Sequence, residues 1–208
     1  MSTQKPQIRS MFATPVCVHF LPVAQEVNVE LRPMVMDKMG AAADHAGHGW
    51  RSAPDLEEWG GVPAQTLFRM LHELADNLTT GRNGSRVSVE WKITACASVR
   101  QKGDHVAVAP RPGAMWSGIY FVDDGYAKSD DETLGGEVEL SDPRGATPAK
   151  VAPHLAFRIP GGLTAGYVET IRPQSGMIVL HPSWLPRGER RFEGASQRMA
   201  IEFDLTAP

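Results

Sequence analysis

Four arginines near the C-terminus are the residues of this sequence best suited to bind an anion. They lie in the stretch HPSWLPRGERRFEGASQRMAIEF, residues 181–203, between two apolar runs. An arginine beside a core is costly unless a negative group meets it. Arg190 and Arg191 are flanked by glutamates, which predicts a solvated turn. Arg187 follows a Pro-rich turn and Arg198 opens the last predicted strand, so these two are the candidates for an anion site.

The histidines offer no ready-made metal site. No His-x-Asp, His-x-Glu or His-x-His occurs in the chain, although that spacing puts two ligands on one strand face. Asp104 and His105 are direct neighbours and would point to opposite faces of a strand. His45 and His48 lie in a glycine-containing segment that predicts a polar loop. His181 ends a predicted strand, where it is either a metal ligand or a histidine bonded to the backbone.

Length and composition predict one globular domain over residues 1–208. The net charge of −3 argues against nucleic acid or an anionic membrane as the main partner. Cys17 and Cys96 are too few for a disulfide framework and wrongly spaced for a zinc knuckle. Hydrolase, kinase and dehydrogenase motifs are absent. The N-terminus lacks the apolar region of a secretory signal, so we expect a cytoplasmic protein; a homodimer stays open.

The N-terminal third mixes strand and helix patterns. Residues 11–23 are β-rich and predict a strand. Residues 28–39 have helical spacing, which requires Pro33 to lie in the first turn. Residues 41–61 predict a loop, and residues 62–79 carry an apolar stripe typical of an amphipathic helix.

The rest of the chain predicts strands. We expect an α+β, mainly β fold: an antiparallel double-stranded β-helix, or jelly roll, formed by residues 86–205, with helices from residues 11–85 packed on one outer face. The predicted strands are residues 86–100, 114–123, 136–142, 154–160, 167–173, 176–182 and 198–205.

Six sequence blocks, spread over residues 11–205, resemble one known family. They are MFATPV, GHGWRSAPDLEEW, WSGIYFVDDG, LSDPRG, SGMIVLHPSWLPRG and RMAIEF. In this order they are similar to the small bacterial 2-oxoglutarate/Fe(II)-dependent oxygenases, whose fold is a double-stranded β-helix. The resemblance implies this fold, an iron site and a 2-oxoglutarate site.

The resemblance also implies that the iron ligands are replaced. In the family, a pattern similar to HxHPGS supplies the first two ligands, and here Ala109 and Arg111 stand at those positions. The third ligand is the histidine of a pattern similar to FPSWLPHGV, where this chain has Arg187. Arg198 matches the arginine that anchors the distal carboxylate of 2-oxoglutarate. Because a methyl group and a guanidinium have no lone pair to donate to iron, an iron site in the usual place is disfavoured.

Three functions stay open. A metal-free member would bind a small anion, such as 2-oxoglutarate or another carboxylate or a phosphate, through Arg111, Arg187 and Arg198. In that case Ser117 and Tyr120 would lie beside the ligand.

An active oxygenase would instead need a rebuilt metal site, for which His105, His181 and Asp104 are the candidates.

A structural or interaction protein would fill the old pocket with its own side chains, pairing its arginines with carboxylates. The candidate partners are Asp123, Asp124 and Glu189 for Arg111 and Arg187, and Glu90, Glu137 and Glu169 for Arg198.

Overall fold

Two antiparallel sheets face each other in this protein, and helices cover the outer face of the larger one. The structure is a computed structural model and describes residues 11–41, 49–145, 150–155 and 168–208. The strands are β1 (Cys17–Phe20), β2 (Trp50–Arg51), β3 (Lys92–Arg100), β4 (Val106–Ala109), β5 (Trp116–Asp123), β6 (Val138–Ser141), β7 (Val168–Ile171), β8 (Met177–Pro182), β9 (Arg187–Glu189) and β10 (Arg198–Thr206). The helices are α1 (Ala24–Gly40), α2 (Leu56–Trp59) and α3 (Gly61–Leu78), with a 3-10 turn at Glu132–Leu134.

The larger sheet has the strand order β1-β8-β5-β10-β3-β2, and the smaller one has the order β4-β9-β6-β7. Strand β10 lies in the middle of the larger sheet, between β5 and β3. Its alternate residues therefore face different cores. Ile201 and Phe203 belong to the core beneath the helices, whereas Ala200 packs between the two sheets with Val138 and Leu140 of β6. The mainly β, two-sheet jelly roll predicted from the sequence is confirmed.

Helices α1 and α3 pack against the outer face of the larger sheet. Leu31 of α1 and Leu67 and Leu71 of α3 are fully buried in the same core as Ile201 and Phe203. The helix predicted for residues 62–79 is thus confirmed. None of the helices in the described part of the chain is long and apolar enough to cross a bilayer.

The first helix differs from the prediction. It begins at Ala24 rather than residue 28, so Pro33 lies in its interior and not in its first turn. Pro33 has no N–H to donate to the carbonyl of Val29. Both residues are exposed, so water can satisfy that carbonyl and the helix continues.

The short strands were also mispredicted. Strand β1 covers only four of the residues 11–23, and β2 and α2 lie within the predicted loop at 41–61. Strands β4 and β9 were not predicted, because three or four residues carry too little periodicity to be recognised without their partners. Most of the strand predicted at residues 154–160 falls outside the described residues, as do His45 and His48.

Candidate functional site

The three positions that resemble the family's iron ligands lie together at one end of the space between the sheets. Ala109 of β4 is directly opposite Arg187 of β9 in the strand register. Arg111 follows two residues later, and its backbone N–H donates to the carbonyl of Ser183 at 2.9 Å. Arg187 is almost fully buried, whereas Ala109 is exposed and Arg111 partly exposed.

A carboxylate that the sequence analysis did not consider, Glu202 of β10, occupies the centre of this region. Its side chain is 2% exposed. Oxygen Oε2 accepts hydrogen bonds from Nη2 of Arg187 at 3.2 Å and from Nη2 of Arg111. Oxygen Oε1 accepts from Nη2 of Arg100 at 3.3 Å. The guanidinium of Arg51 forms an ion pair with Oε2 at 3.7 Å. Four arginines from strands of both sheets and from the segment after β4 therefore surround one buried carboxylate.

The arginines keep Glu202 ionised. Burial by itself raises the pKa of Glu202, but the positive charges of Arg187, Arg111, Arg51 and Arg100 outweigh it and lower the pKa to about 2. A buried charge is tolerated only when it is paired and hydrogen-bonded. Glu202 is therefore an anion at every pH at which the protein is expected to function.

Arg187 bridges two buried carboxylates. Besides Glu202 it contacts Glu189, with Nη1 of Arg187 at 3.5 Å from Oε1 of Glu189. Glu189 is one of the partners that the sequence analysis considered for this arginine. Because Arg187 belongs to β9 and Glu202 to β10, the ion pair between these two residues connects the small sheet to the large one.

His181 lies beside the arginines at the end of β8. Burial, together with the charges of Arg187 and Arg111, lowers the pKa of His181 to about 4, although its hydrogen bond to the backbone opposes the shift. The ring is therefore neutral at pH 7. Its Nδ1–H then donates to the carbonyl of Pro182 at 2.9 Å. The other nitrogen, Nε2, is buried and has no hydrogen-bond partner among the residues described.

Ser117 faces the site, but Tyr120 does not. Ser117 is opposite His181 on one side and Asp204 on the other, and its hydroxyl donates to Oδ1 of Asp204. Tyr120 is three residues further along β5 and so lies on the opposite face, in the core beneath the helices. Its hydroxyl donates to Oδ1 of Asn28 in α1 at 2.6 Å. The expectation that Tyr120 lies beside a ligand between the sheets is therefore corrected.

Arg198 is held by backbone carbonyls and not by a carboxylate. Its side chain is buried; Nε donates to the carbonyl of Asp124 at 3.0 Å and Nη1 to that of Gly136. The guanidinium carbon lies 4.3 Å from the ring centre of Phe192 and 5.0 Å from that of Tyr126, a favourable cation–π arrangement.

Nitrogen Nη2 of Arg198 has no hydrogen-bond partner in the described ranges. Nor does Arg198 form an ion pair with a carboxylate there, so the pairs considered with Glu90, Glu137 or Glu169 are not formed.

The three arginines expected to clamp one anion do not converge. Arg198 and Glu202 are four residues apart on β10, which is about 13 Å at the rise of a strand. Arg111 and Arg187 are bound to Glu202, whereas Arg198 is bound at the far end of the strand. The structure therefore gives the three guanidinium groups different partners, Glu202 for two of them and backbone carbonyls for Arg198, and the predicted three-arginine clamp is corrected in this respect.

The residues considered for a rebuilt metal site have different surroundings. His105 is exposed and lies just before β4. Asp104 is buried, and its carboxylate accepts the backbone N–H of Gln101 at 2.6 Å. In the part of the chain that the structure describes, no group of three or more His, Cys, Asp or Glu side chains could hold a metal ion.

Sequence reasoning could have found Glu202 but not Arg51 or Arg100. Glu202 is four residues after Arg198 in a predicted strand, so the two-residue period alone puts both on the same face. Arg51 lies in a two-residue strand within a predicted loop. Arg100 ends a strand whose orientation depends on its pairing with β10.

Solved structures share this arrangement of two sheets and covering helices. The fold is similar to a prolyl hydroxylase from Trichoplax adhaerens, solved with a hypoxia inducible factor peptide, with a TM-score of 0.64 and 12% identity over 92% of this chain and 83% of that one. A Pseudomonas putida prolyl-4-hydroxylase has a TM-score of 0.60 at 12% identity over 94% and 92% of the two chains. AviO1 of Streptomyces viridochromogenes has a TM-score of 0.60 at 15% identity over 94% and 90%.

These likenesses show that the chain shares its fold with these three proteins. A family model described as "Putative 2OG-Fe(II) oxygenase" matches residues 95–204, slightly more than half of the chain. The protein belongs to the 2OG-Fe(II) oxygenase family. Among curated proteins no sequence match is found.

Iron, which this family implies, does not fit the residues at the positions that resemble the family's ligands. Of the positions that resemble the family's ligands, Ala109 has a methyl group, and Arg111 and Arg187 have protonated guanidinium groups without a donor lone pair. Those two guanidinium groups would also repel a divalent cation. At the position that resembles the 2-oxoglutarate anchor, two nitrogens of Arg198 are bound to backbone carbonyls. Ala109, Arg111 and Arg187 therefore offer no ligand to iron, whereas Arg198 keeps Nη2 without a hydrogen-bond partner among the described residues.

Proposed function

We propose that this chain is a member of the 2OG-Fe(II) oxygenase family that does not carry out the iron-dependent reaction and acts by binding. In this proposal the ion pairs of Arg187 and Arg111 with Glu202 take the place of the metal as the polar centre of the fold. The arginines thus serve first as counter-ions to a buried carboxylate, which is the third of the functions left open by the sequence.

One observation carries the proposal: Arg111 and Arg187 donate to the same oxygen of Glu202. An arginine at a single ligand position could point away and leave space for another ligand. Here both guanidinium groups are joined by a buried carboxylate, and in this proposal they fill the space that a metal would need.

The charge balance supports the same conclusion. Removing a partner from a buried ion pair costs about 3–5 kcal/mol because a charge remains without compensation. For iron to bind at these positions, Arg111 and Arg187 would have to leave Glu202 and move to solvent. They would do so without providing any replacement ligand.

Metal content and turnover test the proposal directly. The protein is purified, incubated anaerobically with Fe(II), desalted and analysed for iron, and succinate formation from 2-oxoglutarate is measured. We expect far less than one iron per chain and no succinate above the protein-free control. Stoichiometric iron with 2-oxoglutarate-dependent succinate formation in the native protein would overturn the proposal, whatever happens in any variant.

A restored ligand set provides the matched positive control. The substitutions Ala109→His, Arg111→His and Arg187→His place three imidazoles at the positions that resemble the family's ligands. We expect this triple variant to retain more iron than the native protein. If it does not fold, the single substitution Ala109→His, at an exposed position, serves to show that one added histidine alone does not recruit iron.

A further inference from the structure

The arginines around Glu202 are not all equally satisfied. A carboxylate oxygen offers about two lone-pair directions to donors. Oxygen Oε2 of Glu202 already accepts from Arg111 and Arg187. Arg51 lies 3.7 Å from the same oxygen, which is an ion pair but too long for a hydrogen bond. The donors of Arg51 are therefore not used by Glu202.

Arg111 also has donor capacity to spare. Its Nη2 is bound to Glu202, but its Nη1 lies 4.0 Å from Oδ2 of Asp204, again beyond hydrogen-bond distance. The side chain of Arg51 is 51% exposed and that of Arg111 is 26% exposed. Each of the two partly exposed guanidinium groups therefore has N–H groups that Glu202 does not use.

Arg51 and Arg111 converge although they are far apart in sequence. Both contact Oε2 of Glu202. Both are also close enough to the thiol of Cys96 for their positive charges to oppose the rise in its pKa that burial causes. Cys96 lies opposite Glu202 in the register of β3 and β10. Two guanidinium groups this close are within reach of a single oxyanion, which can accept hydrogen bonds from both.

We propose that Arg51 and Arg111 form a binding site for one small oxyanion group, a carboxylate or a phosphate, on the solvent-exposed side of the arginine cluster around Glu202. The inference rests on the proposed function in one respect, since Arg187 and Glu202 must fill the metal position behind this site. Arg51 is the residue that defines the site, because it is the only one of the four arginines around Glu202 for which the structure shows no hydrogen bond to that carboxylate.

Electrostatics favours an anion here in spite of the carboxylates nearby. An oxyanion bound by Arg51 and Arg111 meets two positive charges at contact distance, whereas Glu202 lies on the far side of those guanidinium groups. Because the Coulomb energy falls with distance, attraction exceeds repulsion. Asp204 flanks Arg111 and would repel a second negative group. The site therefore selects a ligand with a single oxyanion group at this point, unlike the dicarboxylate that a three-arginine clamp would have held.

The test is a binding measurement with two simple probes. Inorganic phosphate and acetate are titrated into the protein by calorimetry at low ionic strength, with sodium chloride at matched ionic strength as the reference. We expect saturable binding of at least one of the two probes at one site per chain. No binding of either probe beyond the chloride reference would overturn the proposal.

A matched pair of variants locates the site. Arg51 and Arg190 have equally exposed side chains, each 51%, and similar ion pairs, at 3.7 Å to Glu202 and 3.8 Å to Glu139. We expect Arg51→Gln to raise the Kd of the bound probe about tenfold, the effect of losing a charge-assisted hydrogen bond. Arg190→Gln should leave the Kd within about twofold. Equal Kd values in Arg51→Gln and the native protein, or equal losses in both variants, would overturn the assignment.

Two further measurements separate a local effect from misfolding and from failure of the proposed function. Arg51→Lys keeps the charge but loses the planar fork, so its Kd should fall between those of the native protein and Arg51→Gln. The iron analysis is run on the same samples. Stoichiometric iron would contradict the proposed function, whereas loss of anion binding in Arg51→Gln without any iron uptake supports both.

Discussion

At the scale of the residue, Glu202 is the side chain on which the candidate site depends. A buried carboxylate is unfavourable alone, and a buried guanidinium is unfavourable alone. Glu202 and Arg187 satisfy each other, with Arg100 and Arg111 as further donors. The network is asymmetric, because several arginines share one carboxylate. Loss of Glu202 therefore removes the common partner of all of them, whereas loss of one arginine leaves Glu202 with others.

The first prediction concerns this asymmetry. Glu202→Gln keeps the shape of the side chain but removes its charge, so it should lower the free energy of unfolding by about 3–5 kcal/mol. Arg190→Gln, at an exposed pair, should change it by no more than about 0.5 kcal/mol. Urea denaturation of both variants and the native protein measures the two values. A loss below about 1 kcal/mol in Glu202→Gln would contradict the central role assigned to this carboxylate.

At the scale of the element, Arg198 connects the start of β10 to the ends of two other strands. Its side chain donates to the carbonyl of Asp124, just after β5, and to that of Gly136, just before β6. Gly136 has a φ of +77°, and a Cβ there would overlap the guanidinium nitrogens of Arg198. That guanidinium is buried between aromatic rings and cannot move aside as an exposed one could. Glycine is therefore required here by both the backbone and the packing.

The second prediction separates those two requirements. Gly84 has a nearly identical φ of +79° but open space where its Cβ would be, so Gly84→Ala should cost only the backbone strain, about 1–2 kcal/mol. Gly136→Ala should cost about 1–3 kcal/mol more, because it also overpacks the site.

Thermal or urea denaturation provides both values. In the background of Arg198→Met, whose side chain is shorter, uncharged and without a planar guanidinium, the additional loss of unfolding free energy caused by Gly136→Ala should become smaller. If Gly136→Ala costs as much unfolding free energy in this background as in the native protein, the clash of the methyl group with Arg198 is contradicted.

At the scale of the whole molecule, two buried titratable groups between the sheets make stability depend on pH. The folded protein holds the pKa of Glu202 at about 2, below its ordinary value of 4.5. It also holds the pKa of His181 at about 4, below its ordinary value of 6.5. In both cases the unfolded chain takes up the proton first as the pH falls, so both groups stabilise the fold at neutral pH and lose that contribution in acid.

The third prediction concerns the pH range in which Glu202 loses its contribution to stability. Its contribution is complete above about pH 4.5 and is lost as the pH falls from there to about 2. The shift of about 2.5 pH units corresponds to about 3 kcal/mol. Urea denaturation from pH 5 to pH 2 should show this loss in the native protein, and Glu202→Gln should have a correspondingly flatter profile. Parallel profiles for the two proteins would contradict the prediction.

The fourth prediction concerns the higher pH range in which protonation of His181 lowers stability. Because the folded protein disfavours the charged ring, stability should fall by about 3 kcal/mol between about pH 6.5 and pH 4. His181→Asn has no titrating group at this position, so its free energy of unfolding should not fall between pH 6.5 and pH 4 for this reason. It should still fall at lower pH, where Glu202 becomes protonated. Denaturation between pH 7 and pH 4 makes the comparison. An NMR titration that gives His181 a pKa near 6.5 in the folded state would refute the prediction.

Much of the fold was predictable because it depends on local patterns. Residues 62–79 have an apolar stripe at helical spacing, and residues 198–205 are a clear strand, so tertiary contacts only confirm what the local sequence prefers. The prediction failed where an element exists only through its partners. Strands β2, β4 and β9 are two to four residues long, and Pro33 is accepted inside α1 because the carbonyl it leaves unpaired faces solvent.

The sequence by itself determined the two-sheet fold, its family resemblance and the residue types at the positions that resemble the family's iron ligands. Only the tertiary structure decided what those residues do. In the structure Arg111 and Arg187 bind Glu202, Tyr120 lies on the opposite face, Arg198 binds backbone carbonyls, and Arg51 lies within ion-pair distance of Glu202. The reason is physical: a strand pattern states which residues share a face, but the partner of a charge is chosen by distance and burial across strands far apart in sequence.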